Sequence, residues 1–181
     1  RDIEWNKVDI FLGDERCVDQ QSELRNSVMF KNSLLTKYGN KAFFYEIIGD
    51  KKVDDNISKN LFRSKMSEKC NGYPPSFDLT LLGLGDDGHT ASLFPYQKDN
   101  NADDLVIFNE GKWLKRISLN PKVLSASSKI IFLVSGASKQ LALKRLLDKD
   151  ESQERTPSKL IKSSNQISIF CDEESSKELS I

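Results

Sequence analysis

Apolar residues in this chain gather in short, bounded runs, and between the runs they recur at intervals of three and four. The runs from Lys7 to Leu12, Phe43 to Ile47, Leu79 to Leu82, Leu105 to Phe108, Trp113 to Leu119, Lys129 to Val134 and Gln166 to Cys171 predict strands. The spaced stripes predict helices: Leu24, Val28, Leu34 and Leu35 behind a Ser22 cap, and Ile57, Leu61, Phe62, Met66 and Cys70 behind Asp54 or Asp55. Leu141, Ala142, Leu146 and Leu147 supply a third face after Ser138, and Asp172 to Leu179 a terminal helix. Lys129 to Val134 is apolar throughout its middle, as a parallel strand covered on both sides requires. Strand alternating with helix implies an α/β fold: a three-layer, mostly parallel doubly wound (Rossmann-like) sheet with helices on both faces. The polar stretches Tyr96 to Asp104 and Asp148 to Ser164 read as surface loops, and Pro121 to Ala126 as a short connection.

After the third run, Gly83, Gly85 and Gly88 fall within six positions, a density that marks unusual backbone angles or close approach of a ligand. With them stand Asp86, Asp87 and His89, the one histidine of the chain and the side chain best suited to proton transfer near neutral pH. In an open α/β sheet, ligands bind beyond the carboxyl ends of the strands, where this turn is expected. The plainer reading is a loop whose carboxylates cap the next helix and whose histidine is merely exposed. Asp14, Glu15 and Arg16 follow another strand onto the same rim, although a charged triplet there also suits a solvated loop. Arg116 lies inside a predicted strand, where an unpaired guanidinium is costly to bury. It must meet an acid, solvent or a ligand. Gly136 to Lys139 join free amides at a helix start to a lysine, an anion site in outline. The alternative for Lys139 is a solvated helix residue. Cys17 reads as a small buried side chain, since no second histidine exists to activate it.

Composition narrows these readings by exclusion. Lys plus Arg and Asp plus Glu stand at 27 each, so no overall field draws in nucleic acid or an anionic membrane. An anionic ligand must then be held by a few local cations. Three cysteines without CxxC spacing argue against a disulfide framework or zinc module and for a reducing compartment. No apolar run approaches membrane-spanning length and nothing resembles a signal peptide. The expectation is a cytoplasmic protein whose residues 1–181 form one domain.

The run Gly83-Leu84-Gly85-Asp86-Asp87-Gly88-His89-Thr90-Ala91-Ser92-Leu93-Phe94-Pro95 closely resembles the signature of the 6-phosphogluconolactonases, which share a superfamily with glucosamine-6-phosphate deaminases and isomerases. Asp14-Glu15-Arg16 resembles that family's Asp-Glu-Arg motif, Arg116-Ile117-Ser118-Leu119 its Arg-Ile-Thr-Leu strand, and Ser135-Gly136-Ala137-Ser138-Lys139 its Gly-x-x-Lys turn. The motifs follow family order from near Asp9 to about Cys171. The resemblance implies hydrolysis of 6-phospho-D-glucono-1,5-lactone to 6-phosphogluconate, the second step of the oxidative pentose phosphate pathway, without a redox or metal cofactor. It implies His89 as the base that activates water, Asp87 as the group that orients it, and Arg16 as a stabiliser of charge on the carbonyl oxygen or ring. Lys139, Arg116 and main-chain amides would hold the phosphate. Asp14, Asn26, Gly85, Gly88 and Gly136 complete the expected substrate-binding set. Asn26 matches the second residue of a family Ser-Asn pair, with Arg25 where Ser is usual.

Two departures matter. Deaminases of the superfamily place an acid five residues after the histidine, where this chain has Phe94, which cannot titrate. The family's Gly-Gly-Ser/Thr phosphate turn, normally in a preceding segment, has no counterpart here. The expectation is therefore a piece of a longer protein, and such lactonases occur both free and fused to glucose-6-phosphate dehydrogenase. Rival readings are a deaminase/isomerase, a sugar-phosphate-sensing domain of a transcription regulator, and a non-catalytic piece of a fusion.

Overall fold

The apolar runs become strands at the expected places, and what differs is how they pair. In the computed structural model, which describes residues 3–39, 41–50, 53–97, 103–111 and 113–179, β1 (Asp9–Phe11) lies parallel to β3 (Phe43–Tyr45). β2 (Asp14–Arg16) pairs antiparallel with β6 (Lys115–Leu119), and β6 antiparallel with β5 (Val106–Glu110). The third sheet is parallel, in the order β4 (Thr80–Gly83), β7 (Ile130–Val134), β8 (Ile167–Cys171). The charged triplet read as projecting beyond a strand is thus a strand of its own. Its ladder sets Asp14 opposite Ser118 and Arg16 opposite Arg116.

Three helices start at a side-chain cap, but the first helix and the one after β7 have none, so neither Ser22 nor Ser138 caps as its position suggested. α1 (Asn26–Phe30) continues as a π-helical stretch, Lys31–Gly39. α2 (Asp55–Lys69) starts at Asp54, whose carboxylate accepts from the Asn56 and Ile57 N–H groups. α3 (Pro121–Ser125) occupies the stretch read as a mere connection, because Asn120 accepts from Lys122 N and Pro121 stands at the first turn. α4 (Gln140–Leu147) follows β7, and α5 (Glu173–Ser176) is capped by Asp172. On α2 the buried face is Ser58, Phe62 and Met66, at i, i+4 and i+8. Ile57 and Leu61, expected in the core, are about half exposed.

Phe62 and Met66 meet Leu82, Val106, Ile117, Ile130, Phe132 and Leu143 in one buried cluster. Each such side chain contributes about 1.5–3 kcal/mol through the apolar surface it removes from water. β7 sends Ile130, Phe132 and Val134 into it, but the described residues do not cover the strand on both sides as its composition suggested. Leu133 is 52% exposed, and its same-face neighbours Leu81 and Phe170 are 57% and 60% exposed. Asp148 to Ser164 also departs from the surface-loop reading, since Thr156, Pro157, Ser158 and Ile161 within it are buried. The loop expected from Tyr96 to Asp104 falls mostly outside the described residues.

Candidate active site

Where β4 ends, the chain doubles back on hydrogen bonds of its own. Thr90 Oγ1 donates to the Gly83 carbonyl at 2.8 Å, Gly85 N to the His89 carbonyl at 2.7 Å, and Gly88 N to the Gly85 carbonyl at 3.1 Å. The imidazole of His89 is folded over Gly85 so closely that a Cβ there would stand 2.0 Å from Nδ1. Only glycine fits beneath that ring. Asp87 Oδ1 accepts from His89 N at 3.0 Å and faces Nδ1 at 2.6 Å. A carboxylate can only accept, so in this arrangement a neutral imidazole carries its proton on Nδ1 and leaves the Nε2 lone pair free. The Phe94 ring stands 5.0 Å from the imidazole, centroid to centroid.

This turn forms one wall of a cavity of about 600 Å³. Gly85, Asp87, His89 and Phe94 line it from the turn, while Asp14, Arg16 and Asn26 line it from β2 and the start of α1. Arg116 enters from β6 and Lys139 from the turn after β7, with the indole of Trp113, which is almost fully exposed, at the side. Gly88 and Gly136 are not among the lining residues.

Charge in the cavity is unevenly balanced. Arg16 and Arg116 are direct cross-strand neighbours, an arrangement that repels unless an anion lies near. Arg116 Nη1 stands 3.9 Å from Asp14 Oδ2, and its buried Nε has no hydrogen-bond partner among the described residues. Burial, and then the Arg16 charge, hold the Arg116 guanidinium below its usual range. Burial raises the Asp14 carboxyl, against the lowering effect of a 2.5 Å hydrogen bond donated by Ser92 Oγ and of the Arg116 charge. Asn26 gives its amide nitrogen to the Asp14 carbonyl and to Oδ1, at 3.1 and 3.2 Å. Arg16 Nη1 donates to the Leu24 carbonyl.

Behind β2 lies an ion pair that the sequence did not announce. Glu15, fully buried, accepts from the backbone N–H groups of Arg16, Asn26 and Ser27 at 2.7, 2.8 and 2.8 Å. Arg25 Nη2 stands 3.5 Å from its second oxygen and donates to the Ile47 carbonyl at 2.7 Å. Arg25 Nη1 donates to the Gly49 carbonyl at 3.2 Å. The pair ties the start of α1 to β2, and so fixes Asn26 beside Asp14. Cys17, next in the chain, is buried, and burial pushes its thiol up to about 11, consistent with a packing role.

The turn after β7 is not the open amide nest that the sequence suggested. Gly136 has φ +94°, and its N–H is taken by the Asp172 carboxylate at 2.9 and 3.1 Å. Ser135 Oγ donates to the same carboxylate at 2.6 Å. Asp172 comes from the end of β8, beside β7 in the sheet, and so reaches the amide directly. Lys139 is the part of this motif that lines the cavity.

Residues 1–169 match the family described as glucosamine-6-phosphate isomerases/6-phosphogluconolactonase. The chain belongs to that family. It is 28% identical to a 6-phosphogluconolactonase of Nostoc sp. over 99% of this chain and 76% of that protein. It is 32% identical to a probable 6-phosphogluconolactonase of Dictyostelium discoideum over 93% of this chain and 73% of that one. The crystal structure of a devB protein superposes with a TM-score of 0.86 at 29% identity, covering 99% of this chain and 77% of that chain. Within this glucosamine-6-phosphate isomerase/6-phosphogluconolactonase chain, the structure gathers Asp14, Arg16, Asn26, Gly85, Asp87, His89, Arg116 and Lys139 around one cavity.

A polar seam beneath them was not foreseen. Ser92 N donates to Ser118 Oγ at 3.3 Å, and Asn109 Nδ2 to the Ser92 carbonyl at 2.6 Å. Together with the Ser92–Asp14 bond, these link the histidine turn to β2, β5 and β6. Ser92 lay inside the quoted signature; Asn109 carried no signal, because only the antiparallel pairing brings it under the turn.

Proposed function

We propose that this protein hydrolyses 6-phospho-D-glucono-1,5-lactone to 6-phosphogluconate, in the oxidative pentose phosphate pathway. The observation that carries the reading is the His89–Asp87 pair at 2.6 Å, set in a cavity walled by Arg16, Arg116 and Lys139. With Nδ1–H held by Asp87, Nε2 takes a proton from a water molecule as its oxygen attacks the lactone carbonyl carbon. Asp87 offsets the positive charge that forms on the imidazole. Arg16 faces the charge that develops on the carbonyl oxygen. The tetrahedral intermediate then expels the ring oxygen, which takes the proton back from the imidazolium and becomes a hydroxyl. Arg116 and Lys139 hold the phosphate, which fixes the carbonyl against His89. Gly85 serves the site by making room for the imidazole. On this reading a glucose-6-phosphate dehydrogenase, separate or fused, supplies the lactone.

The deaminase chemistry of the superfamily needs an acid five residues beyond the histidine, and Phe94 fills that place with its ring against the imidazole. The deciding experiment follows both reactions with the purified protein. Hydrolysis of 6-phosphogluconolactone above the spontaneous rate, with no ammonia from glucosamine 6-phosphate, is expected. Ammonia release, or no hydrolysis above background, overturns the reading.

A further inference from the structure

The segment from Glu151 to Ile161 touches the histidine turn from the side away from the cavity. A Cβ on Gly88 would stand 3.1 Å from Thr156 Cγ2, 3.2 Å from its Cα and 3.3 Å from its Cβ. Thr156 thus fills the space that glycine leaves at a position whose φ is +94°. Ser158 N donates to the Gly88 carbonyl at 3.0 Å, and Tyr96 N to the Glu154 carbonyl at 2.8 Å. The same segment therefore grips the turn just before His89 and again just after Pro95. Thr156 is itself fixed: it is fully buried, its N–H donates to the Ser152 carbonyl at 2.9 Å, and its Oγ1 donates to Glu151 Oε1 at 3.1 Å. Neither Thr156 nor any other residue of the segment lines the cavity.

We propose that Thr156 is a positioning residue for the hydrolysis, acting through Gly88 on the direction of the His89 imidazole. The proposal rests on the reading of His89 as the base. Two adjacent residues of one turn point opposite ways: Gly88 outward onto Thr156, and His89 back over Gly85. If the outer contact loosens, Gly88 has free space and a backbone range wide enough to use it. The imidazole then leaves its 2.6 Å approach to Asp87. Displacements of about 1 Å at a reacting group cost up to about 10²-fold in rate, so a buried methyl group outside the site governs turnover. Binding of the phosphate by Arg116 on β6 and Lys139 in the turn after β7 is left as it was.

Two near-isosteric variants separate the parts of the side chain. Thr156→Ser keeps the hydroxyl for Glu151 and removes Cγ2; Thr156→Val keeps Cγ2 and removes the hydroxyl. For Thr156→Ser, kcat is expected to fall about tenfold with KM unchanged. Thr156→Val is expected to restore kcat even if it lowers the melting temperature. The second readout uses the single histidine of the chain. The imidazole ¹⁵N shifts of Thr156→Ser should move towards a mixture of tautomers, while those of Thr156→Val keep the Nδ1–H form. A Thr156→Ser protein, folded by circular dichroism, with wild-type kcat and unmoved imidazole shifts overturns the proposal. So does a loss of kcat that follows thermal stability in both variants. His89→Ala serves as the control: if it keeps turnover, the base assignment fails, while the imidazole shifts still report whether Thr156 holds the ring.

Discussion

Two turns leave the carboxyl ends of neighbouring parallel strands, one after β4 and one after β7, and they are held in opposite ways. In the first, the space beside each key glycine is filled: Gly85 lies under the imidazole and Gly88 against Thr156. In the second, no described residue stands within 4 Å of where a Cβ on Gly136 would be, and the turn is tied through the Asp172 carboxylate. On the proposed mechanism, the contrast follows from what each turn delivers: His89 as base from the first, Lys139 as phosphate ligand from the second. A base must point one lone pair along one line, so small displacements are expensive. A lysine acting on phosphate is a mobile point charge and needs only to be near.

Four substitutions test that contrast. His89→Ala should lower kcat by about 10²–10⁴-fold with the fold intact, because on the proposed mechanism it removes the base itself. Turnover near wild type, after subtraction of spontaneous hydrolysis, would remove the first turn from the chemistry. Gly85→Ala keeps the histidine but puts a methyl group where the ring lies, and should cost up to about 10²-fold in kcat. A crystal structure of that variant with the imidazole unmoved would contradict the steric argument. Arg116→Gln should weaken binding of 6-phosphogluconate about tenfold or more, as loss of one charge-assisted hydrogen bond does. Titration calorimetry checks it, and gluconate, lacking phosphate, should bind equally poorly to both proteins.

The smallest effect belongs to the second turn. Hydrogen bonds from Ser135, Ser175 and the Gly136 amide hold the Asp172 carboxyl below its ordinary value of 3.8. A carboxyl lowered on folding adds stability above its unfolded value and loses it as the pH falls through the folded one. Wild type should therefore exceed Asp172→Asn in urea midpoint at pH 7, and the gap should narrow below about pH 3.8. A gap that stays constant with pH would mean that the carboxylate charge plays no part.

How much of this was legible in the sequence depends on where each contact comes from. The histidine turn was legible because its glycines, acids and base are consecutive in one stretch. Alternation of strand and helix set the α/β class, and strand ends placed Arg116 and Lys139 near the same rim. Pairing was less accessible. Asp14 to Arg16 carries no apolar run, so nothing local marked it as a strand; its partner β6 supplies the reason. Capture of the Gly136 amide by Asp172 joins residues 36 positions apart. Thr156 sits in a tract so charged and serine-rich that its inward turn has no hydrophobic signature. The exposed face at Leu81, Leu133 and Phe170, uncovered by the described residues, was hidden for the opposite reason. An apolar run looks the same whether one side of its strand is covered or two.

Glu15 shows what such a fold does to a map of tolerated substitutions. Its two neighbours in the strand, Asp14 and Arg16, both reach the cavity, while its own carboxylate is spent on three backbone amides and Arg25. Replace it, and both neighbours lose their bearing at once, so one interior change behaves as two changes in the site. Such a map would mark Glu15 and Arg25 as strongly as residues that meet the ligand. What it would be recording there is orientation, since neither side chain has any chemistry to offer the substrate.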